Sequence, residues 1–312
     1  MRIVKPPALR KGDVIGIAAP ASPSSSEEKL ARGIRYLETI GYRVTLGKYA
    51  RTKHGYLAGS DIQRATDIND FFSDRNVKAI FSVRGGYGTQ RILPLLDYSV
   101  IRRNPKILVG YSDVTALHMA LFCRAGLVTF SGPMVAVEMA EGLSGASEER
   151  FWQSLTTPYV PPPLRHDRDR RRIRGKKNIS VGRIVGGNLS LVAALVGTSY
   201  LPRREDLIWL IEEIGEQPYR IDRLLQQLKL GGLIPRSKGV VLGRFIDCEP
   251  EKGKPSLHLE DIFKETFKGY RYPVCTGAHF GHIKDSLTVP LGVRVEIQGL
   301  TGTTHLLEAG VA

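Results

Sequence analysis

Buried-type strands alternate with helices along the first 121 residues, and this alternation limits the possible folds more than any other feature of the chain. The alternation predicts a parallel sheet covered by helices on both faces. Ligands of such sheets bind beyond the C-terminal ends of the strands. The predicted strands are the apolar runs 14–19, 42–46, 77–82 and 106–109. The predicted helices follow them at about 24–40, 61–72, 88–96 and 115–121.

The stretch 106–121, KILVGYSDVTALHMAL, combines a strand, a tight corner and a helix. Ser112 stands at the corner, where the free N–H groups of a helix N-terminus favour a developing anion. A serine placed in this way is typical of a hydrolase nucleophile, although Val114 replaces the second glycine of a GxSxG elbow. The alternative is that Ser112 and Asp113 only cap the helix.

A glycine-rich loop, Arg84-Gly85-Gly86-Tyr87-Gly88, follows the third predicted strand. It lacks the glycine spacing of a GxGxxG motif and the lysine of a Walker loop, so it is a weak nucleotide signal. Its backbone N–H groups could bind an anion or form half of an oxyanion hole. The alternative is a tight turn without a further role.

The alternation stops at a proline-rich and basic segment, which we predict to be a linker over 158–180. The run 165–177 carries eight Lys or Arg against two Asp, which accounts for +6 of the net charge of +14. It contains no Phe, Tyr or Trp to stack on a base, so a solvated linker is favoured over nucleic-acid binding. We therefore predict an α/β domain at 1–157 and a mixed α+β domain at 181–312.

A serine nucleophile needs a base and an acid that orients it. Of the seven histidines, His279 and His282 lie in a glycine-flanked loop, and His118 is expected to be packed on the helix after the corner. Glu212 ends a strand predicted at 206–211 and is a natural acid, with Glu213 and Glu216 as alternatives. Motifs of the HExxH kind are absent, so we predict no catalytic metal and no cofactor.

Three cysteines, an odd number and far apart in the chain, argue against a disulfide framework. They indicate a reducing compartment, so we expect a cytoplasmic protein. No apolar run approaches the roughly 20 residues of a membrane span, and we expect no membrane partner.

Taken together, the motifs resemble those of the LD-carboxypeptidase family of serine peptidases, which includes the microcin C self-immunity peptidases. The resemblance covers nearly the whole chain. The order and spacing of the motifs are more specific than any single motif. The motifs that carry it in the first half are Lys11-Gly12-Asp13, Ala18-Ala19-Pro20, Tyr56-Leu57-Ala58-Gly59, the glycine loop and Gly110-Tyr111-Ser112-Asp113. Those in the second half are Gly186-Gly187-Asn188-Leu189, Gly197-Thr198, Glu212-Glu213, Tyr219 to Arg223, Gly281-His282 and Pro290-Leu291-Gly292.

The resemblance implies an α/β fold, with a flavodoxin- or Rossmann-like parallel-sheet N-terminal domain and a smaller β-rich α+β C-terminal domain, commonly as a homodimer. It implies a triad of Ser112 as nucleophile, His282 as base and Glu212 as acid. The family usually has Asp after the acid, and Glu213 here leaves that assignment less distinct. The implied oxyanion hole consists of the backbone N–H groups of Gly86 and Asp113.

The implied reaction is hydrolysis of an L,D-amide bond, with release of C-terminal D-Ala from murein tetrapeptides in cell-wall recycling. Arg84 is a candidate partner for the substrate carboxylate by position only. An alternative within the family is cleavage of a peptidyl-nucleotide or another acyl amide, for which an aromatic nucleobase pocket would be expected; the only tryptophans are Trp152 and Trp209. An alternative outside it is a non-catalytic module that binds an anion with the glycine loop.

Overall fold

The computed structural model describes residues 2–143, 145–164, 166, 179–299 and 301–312. Its contacts divide the chain into two compact units. The first comprises Met1–Val160, Thr288–Gly292 and Ala309–Ala312, and the second comprises Pro161–Leu287 and Val293–Glu308. Apart from His166, the basic run 165–177 lies outside the described residues.

Twelve strands and ten α-helices lie in the described part of the chain. The strands are β1 (Val14–Ala18), β2 (Arg43–Leu46), β3 (Val77–Ser82), β4 (Ile107–Gly110), β5 (Thr129–Ser131), β6 (Ile179–Asn188), β7 (Leu207–Ile214), β8 (Gly239–Ile246), β9 (Val274–Cys275), β10 (Val289–Leu291), β11 (Arg294–Gln298) and β12 (Thr303–Leu306). The helices are α1 (Glu27–Thr39), α2 (Asp61–Ser73), α3 (Thr89–Ile92), α4 (Tyr98–Arg103), α5 (Thr115–Ala125), α6 (Glu138–Glu141), α7 (Gly145–Thr156), α8 (Leu189–Ala194), α9 (Pro218–Leu230) and α10 (Leu259–Phe267).

The first unit is built on a six-stranded sheet of order β10-β5-β4-β3-β1-β2. Its neighbouring strands are parallel except for β10, which pairs antiparallel with β5. The central strands β1, β3 and β4 are largely apolar and buried, as expected for strands covered on both faces, and Lys78 of β3 is their one exposed residue. Phe81 of β3 is fully buried and meets Phe151 of α7 edge to face at 5.9 Å between ring centroids. Burial of such a ring contributes about 1.5–3 kcal/mol to folding.

Local signals in the sequence explain where the helices of the first unit begin. The side chain of Ser26 caps α1 by accepting a hydrogen bond from the Lys29 N–H at 3.1 Å. Ser60 and Gln63 form a reciprocal capping box at the start of α2. Gly126, with φ of 70°, ends α5 in a left-handed conformation that glycine adopts readily.

The second unit contains a six-stranded sheet of order β12-β11-β6-β7-β8-β9. Its strands are parallel from β6 to β9, whereas β11 pairs antiparallel with both β6 and β12. Strand β7 is buried from Leu207 to Glu213, including its two carboxylates. The predicted α/β fold, with a parallel-sheet N-terminal region and a mixed C-terminal region, is confirmed. No helix in the described ranges is long and apolar enough to cross a membrane.

Candidate active site

Ser112 lies at a strained corner directly after β4. A 3-10 turn, Ser112–Val114, joins that strand to α5. Ser112 has φ of 62°, and among the described non-glycine residues only Asp247 also has a positive φ. An L-residue adopts this backbone conformation at a cost, and such strain is concentrated at functional sites. The corner therefore has the conformation of a nucleophile elbow even though it lacks the GxSxG pattern.

The glycine loop packs directly against this corner. A Cβ atom added to Gly85 would lie 2.8 Å from Cβ of Ser112 and 3.1 Å from its Oγ. At Gly86, where φ is 112°, a Cβ atom would overlap the Ser22 hydroxyl. Glycine is therefore required at position 85 for the close approach of the loop to Ser112, and at position 86 for its close approach to Ser22. The glycines do more than form a tight turn, because their lack of side chains permits this approach.

The carboxylate of Asp113 faces the glycine loop and does not cap the following helix. Its Oδ2 accepts a hydrogen bond from the Thr89 N–H at 2.8 Å, and the Thr89 hydroxyl donates to the Asp113 carbonyl at 2.5 Å. Neither the 3-10 turn nor α5 has a side-chain cap. The interpretation of Ser112 and Asp113 as simple caps is therefore wrong. Burial raises the pKa of Asp113, and the hydrogen bonds from Thr89 oppose that shift.

A buried arginine beneath the glycine loop is a feature that the sequence analysis missed. The Arg64 side chain is fully buried and donates to the carbonyls of Pro20 and Gly88, the latter at 2.8 Å. It also pairs with Asp61. Arg64 thus connects the loop after β1, the glycine loop and α2. Its position on the same stripe as Ala65 and Ile68 was the available signal, since a charge on a buried helix face needs partners.

Arg84 is the second residue after the end of β3 and is half-buried. It has no hydrogen-bond or ion-pair partner within the described ranges. Its guanidinium is therefore not committed to a structural ion pair there. The position is compatible with a role in binding an anionic group.

In the second unit, Glu212 of β7 and His282 form a hydrogen-bonded pair. Nδ1 of His282 lies 2.8 Å from Oε2 of Glu212, with the carboxylate buried and the imidazole partly exposed. A carboxylate oxygen only accepts, so the proton of the neutral imidazole is assigned to Nδ1. Nε2 then carries the lone pair. The pair consequently has the arrangement of a general base and the acid that orients it.

The local backbone leaves just enough room for this carboxylate. Gly281 has φ of 121°, and a Cβ atom there would lie 2.8 Å from Oε2 of Glu212. At Gly243 of β8, a Cβ atom would lie 3.3 Å from Cβ of Glu212. The β7–β8 register shifts between Ile211 and Glu213, so a bulge lies beside Glu212. Bulges next to active sites commonly re-aim a side chain.

The two alternative acids have other partners. Glu213 accepts hydrogen bonds from the Asn188 side chain at 2.6 Å and from the N–H and hydroxyl of Ser190 at 2.8 and 2.6 Å, which braces the start of α8. Burial raises the pKa of Glu213. Glu216 pairs with Arg220, four residues later, at 3.3 Å. Of the three carboxylates, Glu212 is the one that contacts His282 through a hydrogen bond in the structure.

Two further histidines have positions that distinguish them from His282. His118 is buried in α5, where Nε2 donates to the Gly110 carbonyl at 2.8 Å and Nδ1 accepts from the Thr129 hydroxyl at 2.9 Å. Burial lowers the pKa of His118 to about 4, so the imidazole is neutral and has a structural role beneath the corner. His279 is half-buried, and its carbonyl accepts a hydrogen bond from the Leu287 N–H at 2.8 Å.

The structure thus groups the predicted site residues within each unit. Gly85 packs against Ser112 and Asp113 in the first, and Glu212 meets His282 in the second. Within the described ranges, no group of three or more His, Cys, Asp or Glu side chains could hold a metal ion.

Comparison with known families gives matches in both halves of the chain. The LD-carboxypeptidase N-terminal domain matches residues 15–132, and the LD-carboxypeptidase C-terminal domain matches residues 181–297. The chain belongs to the LD-carboxypeptidase family. The predicted family membership is therefore confirmed, and with it the class of enzyme, a serine-type carboxypeptidase hydrolase.

Individual relatives within the LD-carboxypeptidase family match over nearly their whole length. The probable murein peptide carboxypeptidase of Bacillus subtilis is 38% identical over 99% of this chain and 95% of its own length. The structure of muramoyltetrapeptide carboxypeptidase from Oxalobacter formigenes is 31% identical, with a TM-score of 0.83 over 94% of this chain and 97% of that one.

The microcin C7 self-immunity protein MccF of Escherichia coli belongs to the same set of relatives. It is 29% identical over 93% of this chain and 91% of its own length. The wild-type apo structure of MccF gives a TM-score of 0.87 at 26% identity, over 99% of this chain and 100% of that one. The family therefore includes relatives named as murein peptide carboxypeptidases and relatives named as microcin C7 self-immunity proteins.

Proposed function

We propose that this carboxypeptidase hydrolyses the L,D-amide bond that precedes the C-terminal D-Ala of murein tetrapeptides. The observation that carries the catalytic assignment is the hydrogen bond between Nδ1 of His282 and Oε2 of Glu212. The names of the Bacillus and Oxalobacter relatives support the substrate class. We assign Ser112 as nucleophile, His282 as general base and Glu212 as the acid that orients it.

In the proposed reaction, Oγ of Ser112 attacks the carbonyl carbon while Nε2 of His282 accepts the hydroxyl proton. Glu212 stabilises the imidazolium that forms. The amide C–N bond then breaks as His282 returns that proton to the departing amine of D-Ala. Water attacks the resulting ester, with His282 again as base, and releases the shortened peptide and Ser112. Protons and bonds balance without a cofactor.

The proposed oxyanion hole uses the backbone N–H groups of Gly86 and Asp113. Its support is the close packing of the glycine loop on the corner, where a Gly85 Cβ atom would lie 3.3 Å from the Asp113 nitrogen. Two preorganised donors of this kind stabilise the charge that develops on the carbonyl oxygen. Arg84 is assigned to the terminal carboxylate of D-Ala, because that anion needs a cation and Arg84 has no ion-pair partner among the described side chains.

The tryptophans do not favour a peptidyl-nucleotide as the substrate. Trp152 stacks on Tyr42 at 5.0 Å between ring centroids, and its Nε1 donates to the Tyr36 hydroxyl at 2.7 Å. Trp209 is buried in β7, three residues before Glu212. Alternation of side chains along a strand points Trp209 and Glu212 to opposite faces of the sheet. Neither indole is therefore exposed as a nucleobase platform beside the proposed acid.

The test is release of D-Ala from a purified L,D-tetrapeptide, measured by mass spectrometry. We expect Ser112→Ala to lower kcat by about 10⁴-fold or more while the fold survives. Ser73→Ala, which changes an exposed serine at the end of α2, is the matched control and should retain wild-type activity. Undiminished release by Ser112→Ala would exclude the proposed nucleophile.

We further propose a cytoplasmic homodimer. None of the three cysteines forms a disulfide, which supports a reducing compartment. The dimer rests on the family resemblance alone. Cell fractionation and light scattering of the purified protein test the two parts separately, and a monomer in scattering would remove only the second.

A further inference from the structure

Two exposed tyrosines lie side by side next to the proposed oxyanion loop. Tyr56 is 65% exposed and Tyr87 is 49% exposed, yet their rings contact each other edge to face with 5.5 Å between centroids. Neither phenol hydroxyl has a hydrogen-bond partner within the described ranges. Large aromatic rings that are paired but left in solvent are typical of binding surfaces. The catalytic assignment above does not use this pair.

Both rings are presented by backbone that is firmly held. Tyr56 stands at the tip of a turn closed by two hydrogen bonds between His54 and Leu57, at 2.8 and 3.0 Å. The Tyr87 N–H donates to the Ser22 hydroxyl at 3.2 Å, between glycines with φ of 112° and 128°. The rings are therefore displayed on two tight turns, and little backbone entropy is lost when a ligand binds them.

The two turns also pack on each other. A Cβ atom added to Gly88 would lie only 2.6 Å from the Leu57 side chain. The Ala58 N–H donates to the Ala21 carbonyl at 2.9 Å, which ties the turn to the loop after β1. The Tyr56-Leu57-Ala58-Gly59 motif and the glycine loop thus form one surface. We name this surface, defined by the rings of Tyr56 and Tyr87, the tyrosine pair.

We propose that the tyrosine pair is a subsite for the sugar of a muramoyl-linked tetrapeptide. This rests on the proposed function, and the Oxalobacter relative is by name a muramoyltetrapeptide carboxypeptidase. An interplanar angle of 72° presents the face of one ring beside the edge of the other. The face suits the C–H groups of a pyranose, and the phenol hydroxyls suit its O–H groups.

The reach of the chain is consistent with this assignment. Gly85 packs on Ser112, and Tyr87 is two residues further along the chain. The Cα atoms of Gly85 and Tyr87 are therefore at most about 7.6 Å apart, and a tyrosine side chain extends further. In a tetrapeptide cleaved before its last residue, three residues separate the sugar from the scissile carbonyl, a span of roughly 10 Å. The tyrosine pair lies within that distance range from the nucleophile.

The experiment compares kcat/KM for two substrates, the free L,D-tetrapeptide and the muramoyl tetrapeptide. We expect Tyr87→Ala and Tyr56→Ala each to lower kcat/KM for the muramoyl substrate by about tenfold. The value for the free peptide should change by less than about twofold, because the reacting groups are untouched. Tyr87→Phe should retain most of the preference, and Tyr159→Ala, an exposed tyrosine elsewhere in the first unit, should retain all of it.

A binding measurement provides an independent readout. In a Ser112→Ala background, calorimetry should give a tighter Kd for the muramoyl tetrapeptide than for the free peptide, and Tyr87→Ala should abolish the difference. Equal losses on both substrates, or no loss on either, would overturn the subsite. So would a change of oligomeric mass in Tyr87→Ala without a change of substrate preference, because the pair would then contact a second copy.

The proposed function can fail in a different way. If the wild-type protein released D-Ala from neither substrate, the function and the subsite would both be excluded. If it released D-Ala from both with no effect of the tyrosines, only the subsite would be.

Discussion

Nδ1 of His282 lies 2.8 Å from Oε2 of Glu212, although the two residues are seventy positions apart in the sequence. Strand β7 fixes the carboxylate, and the loop around Gly281 passes so close that only glycine fits. The proposed acid and base are therefore positioned by backbone on both sides. This arrangement makes the pair sensitive to changes that alter its charge or its spacing.

The charge of Glu212, the proposed acid, can be removed with little change of shape. We expect Glu212→Gln to lower kcat for D-Ala release by about 10⁴-fold, because the amide favours the wrong tautomer of His282 and cannot stabilise its cation. Glu216→Gln, which alters a partly exposed pair with Arg220, should stay within about twofold of wild type. The reverse ranking in steady-state kinetics would move the acid to Glu216.

The spacing around the acid can be tested with a methyl group. Gly281→Ala places Cβ against Glu212 and should shift the carboxylate, so we expect kcat to fall by about 10²-fold. Gly253→Ala is the matched control, because Gly253 also has a positive φ but has nothing within 4 Å of the added Cβ. It should be destabilised by about 1–2 kcal/mol from backbone strain and keep its kcat. Equal kcat in the two variants would show that the contact is unimportant.

The link between Asp113 and the glycine loop predicts a combined effect on activity and stability. The side chain of Asn has one acceptor oxygen, whereas the carboxylate of Asp113 has two. Asp113→Asn therefore weakens the hydrogen bonds that the backbone N–H groups at the start of α3 donate to this side chain. We expect a loss of about 1–3 kcal/mol in the free energy of unfolding. We also expect kcat to fall by up to about 10²-fold with KM little changed, because the proposed oxyanion donors move apart. A stability loss without any kcat effect would reduce Asp113 to a structural role.

The buried His118 predicts a pH dependence of stability. Its pKa is about 4 in the folded state, below the 6.5 of the unfolded chain, so the unfolded state binds more protons between these values. The contribution of the neutral imidazole to the free energy of unfolding is complete above pH 6.5. About 3 kcal/mol of it is lost as pH falls towards 4. His118→Gln cannot titrate, so its stability difference from wild type should shrink across that window in urea unfolding. A difference that stays constant with pH would contradict the assignment.

Sequence periodicity predicted the strands and helices that surround Ser112, because β3, β4 and α5 are strongly patterned. It failed at single positions of α2. Ile62 fits the apolar stripe but is 72% exposed, whereas Arg64 is buried. Periodicity records where apolar groups recur, and it does not reveal that the carbonyls of Pro20 and Gly88 need a cation beneath them.

The choice among Glu212, Glu213 and Glu216 stayed open in the sequence for a related reason. Adjacent residues of β7 point to opposite faces, but the pattern does not show which face meets the histidine loop. That depends on the β7–β8 bulge and on the path of the chain through Gly281. Both are tertiary features. The short β5 escaped prediction because three residues carry too little pattern.

The antiparallel pairing of β10 with β5 has a consequence for how the protein is made. Residues 288–292 and 309–312 belong to the first unit, and the Ala312 N–H donates to the Pro6 carbonyl at 2.9 Å. When a ribosome has synthesised Val160, the strand that covers the edge at β5 is still about 130 residues away, or roughly ten seconds at ordinary elongation rates. An uncovered strand edge invites pairing with other chains. During that interval the edge of β5 is uncovered, and the first unit lacks the strand that completes its sheet.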